Sequence, residues 1–144
     1  ANPDPEITPE EARAARPDRP CVVGGFSQGG MLALHHALAA SRPVDGLVLL
    51  SASRLAWADC LRQLPRLRGV PTLVAHGRDD PELAFDGARE LARALADAGA
   101  DVEWLPFDGG HATPLPAWRG VRRLLQRVTG NVSTCDPSPP PGPS

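Results

Sequence analysis

Cys21-Val22-Val23-Gly24-Gly25-Phe26-Ser27-Gln28-Gly29-Gly30 is the stretch whose reading decides the fold. Its apolar start, Cys21-Val22-Val23, reads as a strand running through a core. The residues behind it, Gly30-Met31-Leu32-Ala33-Leu34-His35-His36-Ala37-Leu38, read as the start of a helix. Between the two lies Gly25-Phe26-Ser27-Gln28-Gly29, a G-x-S-x-G. Strand, glycine-lined turn and helix form the context in which that pattern makes a nucleophile elbow. The serine then sits on a strained backbone, and its hydroxyl projects clear of the sheet. The glycines two residues before and two after it are expected to remove β-carbons that would collide in the turn. Gln28, the next residue, can offer its backbone N–H to a developing oxyanion.

Outward from this stretch a unit repeats. Strands are expected at Cys21–Phe26, Asp45–Ser51, Pro71–His76 and Val102–Phe107. Between and after them, helices are expected at about 28–41, at Leu83–Ala98 with Gly99 ending it, and at Pro116–Val128. The stretch 55–68 is amphipathic but interrupted by Pro65, which predicts a short helix followed by a loop. Short apolar strands alternating with helices predict an α/β fold, a parallel sheet of about four strands with flanking helices. In such sheets, sites form at the carboxyl ends of the strands.

The ends differ in character. Residues 1–19 read as a loose leader; within it Thr8 as N-cap, Pro9 and two early acids predict a short helix from about 9 to 16. Residues 20–130 form the expected domain. Residues 131–144 are a proline-rich tail, predicted to be disordered, with five prolines between Asp136 and Ser144.

Composition narrows the chemistry. The 144 residues suffice for one modest domain, 42% of them are hydrophobic, and the formal charge is −2. Such a balance gives no reason to expect nucleic acid or an anionic membrane as partner. All 15 basic residues are arginine, which excludes a Walker-A lysine, a Schiff-base lysine and a Ser-Lys dyad from this stretch of chain. The Gly24-Gly25 and Gly29-Gly30 pairs have the wrong spacing for a dinucleotide-binding turn. Cys21, Cys60 and Cys135 are too few and too scattered for a disulfide framework or a zinc site. They fit a reducing, cytoplasmic setting, with Cys21 expected to pack as a small hydrophobe. No apolar run is long enough to span a bilayer. Asn131-Val132-Ser133 matches a glycosylation sequon, a pattern common by chance.

Three segments fall at the expected strand ends: Ser27, then His76-Gly77-Arg78-Asp79-Asp80-Pro81, then Asp108-Gly109-Gly110-His111. The order is nucleophile, acid, base. A serine hydroxyl is a poor nucleophile at neutral pH and needs a base such as His111 to take its proton. A carboxylate on the far ring nitrogen fixes the tautomer and stabilises the imidazolium. Asp79 and Asp80 are both candidates for that carboxylate, while Asp108 lies too close in sequence to His111 to reach the far side of its ring. His35 and His36 are adjacent, so on a helix they diverge and make a poor chelate. His76 is expected to be structural, its ring capping the turn after the third strand.

Gly25-Phe26-Ser27-Gln28-Gly29-Gly30, His76-Gly77-x-x-Asp80-Pro81 and Gly110-His111 together resemble the phospholipase/carboxylesterase branch of the α/β-hydrolases, which includes acyl-protein thioesterases. The likeness extends over about residues 20–128. It implies Ser27 as nucleophile, Asp80 rather than Asp79 as acid, His111 as base and Gln28 N–H as one oxyanion donor. It also implies ester or thioester substrates and no metal or organic cofactor. Members of that branch carry further strands before the nucleophile strand, and an H-G-x-G-like loop supplying a second oxyanion donor. Residues 1–20 hold no glycine and no strand, so the fold is expected to be truncated, with Cys21–Phe26 at an open sheet edge prone to self-association. Two functions compete on these grounds: a serine esterase or thioesterase, and a weakly active or inactive domain of the same ancestry. A third, docking of Pro139-Pro140-Pro141 in an aromatic groove, rests on composition alone.

Overall fold

A computed structural model describes residues 8, 10, 11, 14, 19–53 and 57–130. Four strands form one parallel sheet: β1 (Val22–Phe26), β2 (Gly46–Leu50), β3 (Pro71–Gly77) and β4 (Asp101–Phe107), side by side in that order. The helices between and after them are α1 (Gln28–Ala39), α2 (Trp57–Gln63), α3 (Phe85–Asp97) and α4 (Leu115–Thr129). A 3-10 turn at Leu64–Leu67 follows α2 directly, with Pro65 in its first turn, where a missing N–H costs nothing. The expected start of that segment, at residue 55, lies outside the described residues, as does the tail from 131. Thr8 and Glu11 cap each other reciprocally: Glu11 N–H donates to Thr8 Oγ1, and Thr8 N–H donates to Glu11 Oε2 at 2.8 Å.

Side chains on the inner strands alternate between the faces, as the pleat requires. Leu47 and Leu49 of β2 and Val74 of β3 meet α1, the 3-10 turn and α3 on one face. Val48, Leu50, Leu73 and Ala75 meet α4 on the other. Arg66 of the 3-10 turn donates to the carbonyls of Leu38 and Ala40, satisfying acceptors left open at the end of α1. Arg123 and Arg127 of α4 pair with Glu103 and Asp101 of β4, fastening that helix over the far half of the sheet.

One face of β1 is left open. Helix α4 packs against β2, β3 and β4, and beside it runs an apolar groove of about 410 Å³ lined by Val22, Phe26, Val48, Leu50, Trp118 and Val121. Phe26 is 41% and Trp118 52% exposed. Cys21, expected in the core, is only half-buried. Among the described residues β1 pairs with β2 alone, so its start lies at the sheet's rim.

Candidate active site

The elbow is built by close backbone approach. Ser27 has φ 57° and ψ −121°, a conformation that costs a non-glycine residue about 1–3 kcal/mol. It is held there because Ser27 N–H continues the ladder to Leu50 O at 2.8 Å, while Ser27 O accepts the N–H of Gly30 and Met31. A β-carbon on Gly25 would lie 2.3 Å from the Gly29 carbonyl, so glycine is required there. The matching expectation for Gly29 fails: a β-carbon there has nothing within 4 Å, because its side-chain direction points away from the turn. Gly30 is the second tight position, 2.7 Å from Ala52 Cβ. Ser51, at the end of β2, also has positive φ (51°), and its Oγ donates to Ala112 O at 3.2 Å. That bond ties the elbow's neighbour strand to the loop that carries His111.

Asp80 organises the acid loop. Its Oδ1 accepts the N–H of Glu82 and Leu83 at 2.8 and 2.9 Å, folding residues 80–83 into a tight turn. Its Oδ2 lies 2.8 Å from His111 Nδ1. The Asp80 side chain has no exposed surface and that of His111 is 12% exposed. Burial opposes the charge on Asp80, but the bonds from Leu83, His111 and Glu82 outweigh it and hold its pKa below the usual carboxylate value. Asp79 is exposed, and Asp108 is nearly fully solvated, 3.7 Å from Arg78.

The loop bearing His111 reaches Asp80 only because β3 ends in glycine. A β-carbon on Gly77 would stand 2.3 Å from Gly110 O and 2.4 Å from Gly109 O. Phe26, one residue before Ser27, packs its ring against that of His111 with centroids 4.7 Å apart. Asp80 is thus bonded to His111, and Phe26 brings that ring beside the elbow, while no hydrogen bond joins Ser27 Oγ to His111. His76 is fully buried behind them; its Nε2 lies 2.8 Å from Leu83 O and 3.3 Å from Asp80 Oδ2. As expected for a structural residue, it closes the turn after β3.

Three contacts escape a sequence reading. The ring of Phe26 is a packing partner for His111, and Gly77 is a point of close approach. The third is Glu82, whose Oε2 lies 3.1 Å from His111 Nε2. Alternation and motif spacing signal where Phe26 and Gly77 sit in their strands. No spacing rule reports where an exposed glutamate side chain turns. Among the described residues no group of three or more His, Cys, Asp or Glu side chains converges as a metal site would require. No helix there is long and apolar enough to cross a membrane.

A family profile described as Phospholipase/Carboxylesterase matches residues 6–127. The chain belongs to this family. Acyl-protein thioesterase 1 of Gibberella zeae is 33% identical over 95 residues, which is 63% of this chain and 40% of that protein. Carboxylesterase SOBER1 of Arabidopsis thaliana is 27% identical over 132 residues, 90% of this chain and 58% of that one. The crystal structure of SOBER1 superimposes with a TM-score of 0.71 at 24% identity, over 83% of this chain and 59% of SOBER1. Zea mays acyl-protein thioesterase 2 matches with a TM-score of 0.65 at 21% identity, over 89% and 69% of the two chains. These two superpositions establish a shared α/β-hydrolase fold. The chain spans about half the length of the curated relatives it matches.

Proposed function

We propose that this chain is a serine hydrolase of carboxylic esters or thioesters, acting through an acyl-enzyme on Ser27. The observation that carries the reading is the buried Asp80–His111 pair packed beside the strained Ser27 elbow. His111 Nε2 takes the proton from Ser27 Oγ as Oγ bonds to the substrate carbonyl carbon. Asp80 orients the ring through Nδ1 and stabilises the imidazolium that results. The negative charge moves to the carbonyl oxygen, where the N–H of Gln28, first residue of α1 and without an acceptor inside the helix, meets it. The carbon–oxygen or carbon–sulfur bond to the leaving group then breaks, and that group departs with the proton from Nε2. Water attacks the acyl-enzyme by the same route in reverse and releases the acid.

Support comes from the family, whose relatives are named thioesterases and carboxylesterases. No metal or organic cofactor is needed for this sequence of steps. A small ester or thioester is the substrate, and a cytoplasmic setting suits the scattered thiols. Quenching a reaction with an acyl aryl thioester in acid and mapping the added mass tests the reading directly. Acyl mass on Ser27 is expected; acyl mass elsewhere overturns it.

A second reading is favoured by the uncovered face of β1. On that reading the site of Ser27, Asp80 and His111 hydrolyses esters slowly, with Gln28 N–H as the one oxyanion donor among the described residues. Loss of one such donor typically lowers turnover by about 10²–10³. Turnover of a short-chain aryl ester by this chain at a rate ordinary for an esterase rules out the slow form.

A further inference from the structure

We infer that Glu82 sets the leaving-group preference of this site, favouring alcohols or thiols that carry a positive charge and rejecting anionic ones. The inference rests on the hydrolase reading above, because it concerns the atom that delivers the proton to the leaving group.

The geometry is a closed ring of contacts. Glu82 N–H donates to Asp80 Oδ1, Asp80 Oδ2 bonds His111 Nδ1, and His111 Nε2 faces Glu82 Oε2 at 3.1 Å. Nε2 is the nitrogen that must face Ser27 before attack and the departing atom afterwards. A leaving group therefore passes within a hydrogen bond of the position that Glu82 occupies. The Glu82 backbone is held by the buried Asp80 carboxylate, which fixes the point from which its side chain reaches that position. Its side chain is 67% exposed, which leaves it free to swing aside for substrate without leaving the neighbourhood.

The surrounding charges do not cancel it. Arg78, a cation of the same loop, is half-exposed and is itself paired with Asp108, while Asp79 adds a further exposed carboxylate there. Asp80 is consumed by His111 and by two backbone N–H groups. A unit charge on the leaving group about 4 Å from Glu82 changes the rate roughly fivefold even in water-like surroundings, and more where water is excluded. Exchanging an anionic for a cationic leaving group counts that effect twice. A preference on the order of tenfold or more follows.

The test uses three phosphonothiolates that differ only in the departing thiol: 2-(trimethylammonio)ethanethiol, ethanethiol and 3-mercaptopropionate. Each transfers its phosphonyl group to Ser27 Oγ and releases the thiol, so a single covalent step is read by intact mass and no turnover is required. Each rate is divided by that probe's rate of reaction with hydroxide, which removes the difference in thiol acidity, and on that scale the wild-type chain is expected to favour the cationic over the anionic probe on the order of tenfold or more. Relative to wild type, Glu82→Gln lowers the cationic-to-anionic ratio on the order of tenfold, with the neutral probe in the same variant as the internal reference, and Glu82→Arg lowers the ratio further. An equal ratio in wild type and Glu82→Gln overturns the inference while leaving the hydrolase reading intact. Adducts that persist in Ser27→Ala, or no adduct from any of the three probes, overturn the hydrolase reading and the inference with it.

Discussion

Asp80 Oδ2 and His111 Nδ1 lie 2.8 Å apart although 31 residues separate them in sequence. The pair is possible because β3 and β4 are neighbours in register, Gly77 opposite Phe107, so the loops that leave their carboxyl ends start side by side. The remaining oxygen of Asp80 is held by two backbone N–H groups, which keeps the carboxylate aimed at the ring.

Acid stability depends on Asp80. Its pKa is depressed in the folded chain relative to an unfolded value of about 3.9, so the unfolded state binds the proton more tightly. The stability this contributes is present above the unfolded value and is lost as pH falls through the lower, folded value. Urea midpoints measured from pH 6 downward should fall less steeply for Asp80→Asn than for wild type. Parallel curves contradict the role given to those hydrogen bonds.

Gly77 and Gly29 should respond in opposite ways to alanine. At Gly77 the new methyl meets two carbonyl oxygens at 2.3 and 2.4 Å, so the Gly109–Gly110 loop must move. A cost of about 1–3 kcal/mol is expected, with loss of Ser27 reactivity as His111 shifts. Gly29 has open space around it near the start of α1, so alanine is tolerated and stabilises by up to about 1 kcal/mol through helix propensity. Denaturant unfolding of the two variants decides between this account and one in which both glycines serve the elbow.

His76 supports the acid loop from behind. Its Nε2 donates to Leu83 O inside a fully buried site. Replacing it with leucine strands that carbonyl and should cost about 1–3 kcal/mol, whereas glutamine retains a donor and costs less. Equal stability of the two variants shows that the hydrogen bond contributes nothing.

The open flank of β1 should make the chain self-associate. The strand has one partner among the described residues, and the groove beside it exposes Phe26 and Trp118. Sedimentation is expected to show mass rising with concentration, and Trp118→Arg should suppress the rise. A monomer at every concentration contradicts this.

Much of the fold was legible because its signals are local. Each strand was a short apolar run, each helix had a cap, a periodic face or a terminating glycine, and the described bounds of strands and helices differ from the expected ones by at most two residues. Alternation put Ser27, the pair Asp79 and Asp80, and His111 past expected strand ends, and the family resemblance then selected Asp80 over Asp79. Other features depend on what meets what across the sheet. Cys21 looks like a core residue until β1 proves to lie at the rim. Gly29 and Gly30 are indistinguishable in a G-x-S-x-G-G string, yet only the second has its β-carbon direction blocked. Glu82 carries no motif of its own. Its significance arises from the Asp80 turn, which brings an exposed side chain to Nε2 of His111.

The central claim is that Ser27 is a nucleophile activated by His111 and Asp80. A fluorophosphonate probe, followed by intact mass and peptide mapping, tests it most directly. The account predicts one adduct on Ser27 in the wild-type chain, none in Ser27→Ala, and labelling slowed by at least about a hundredfold in His111→Ala. Labelling of Ser27→Ala to the wild-type extent, or an unchanged rate in His111→Ala, contradicts it.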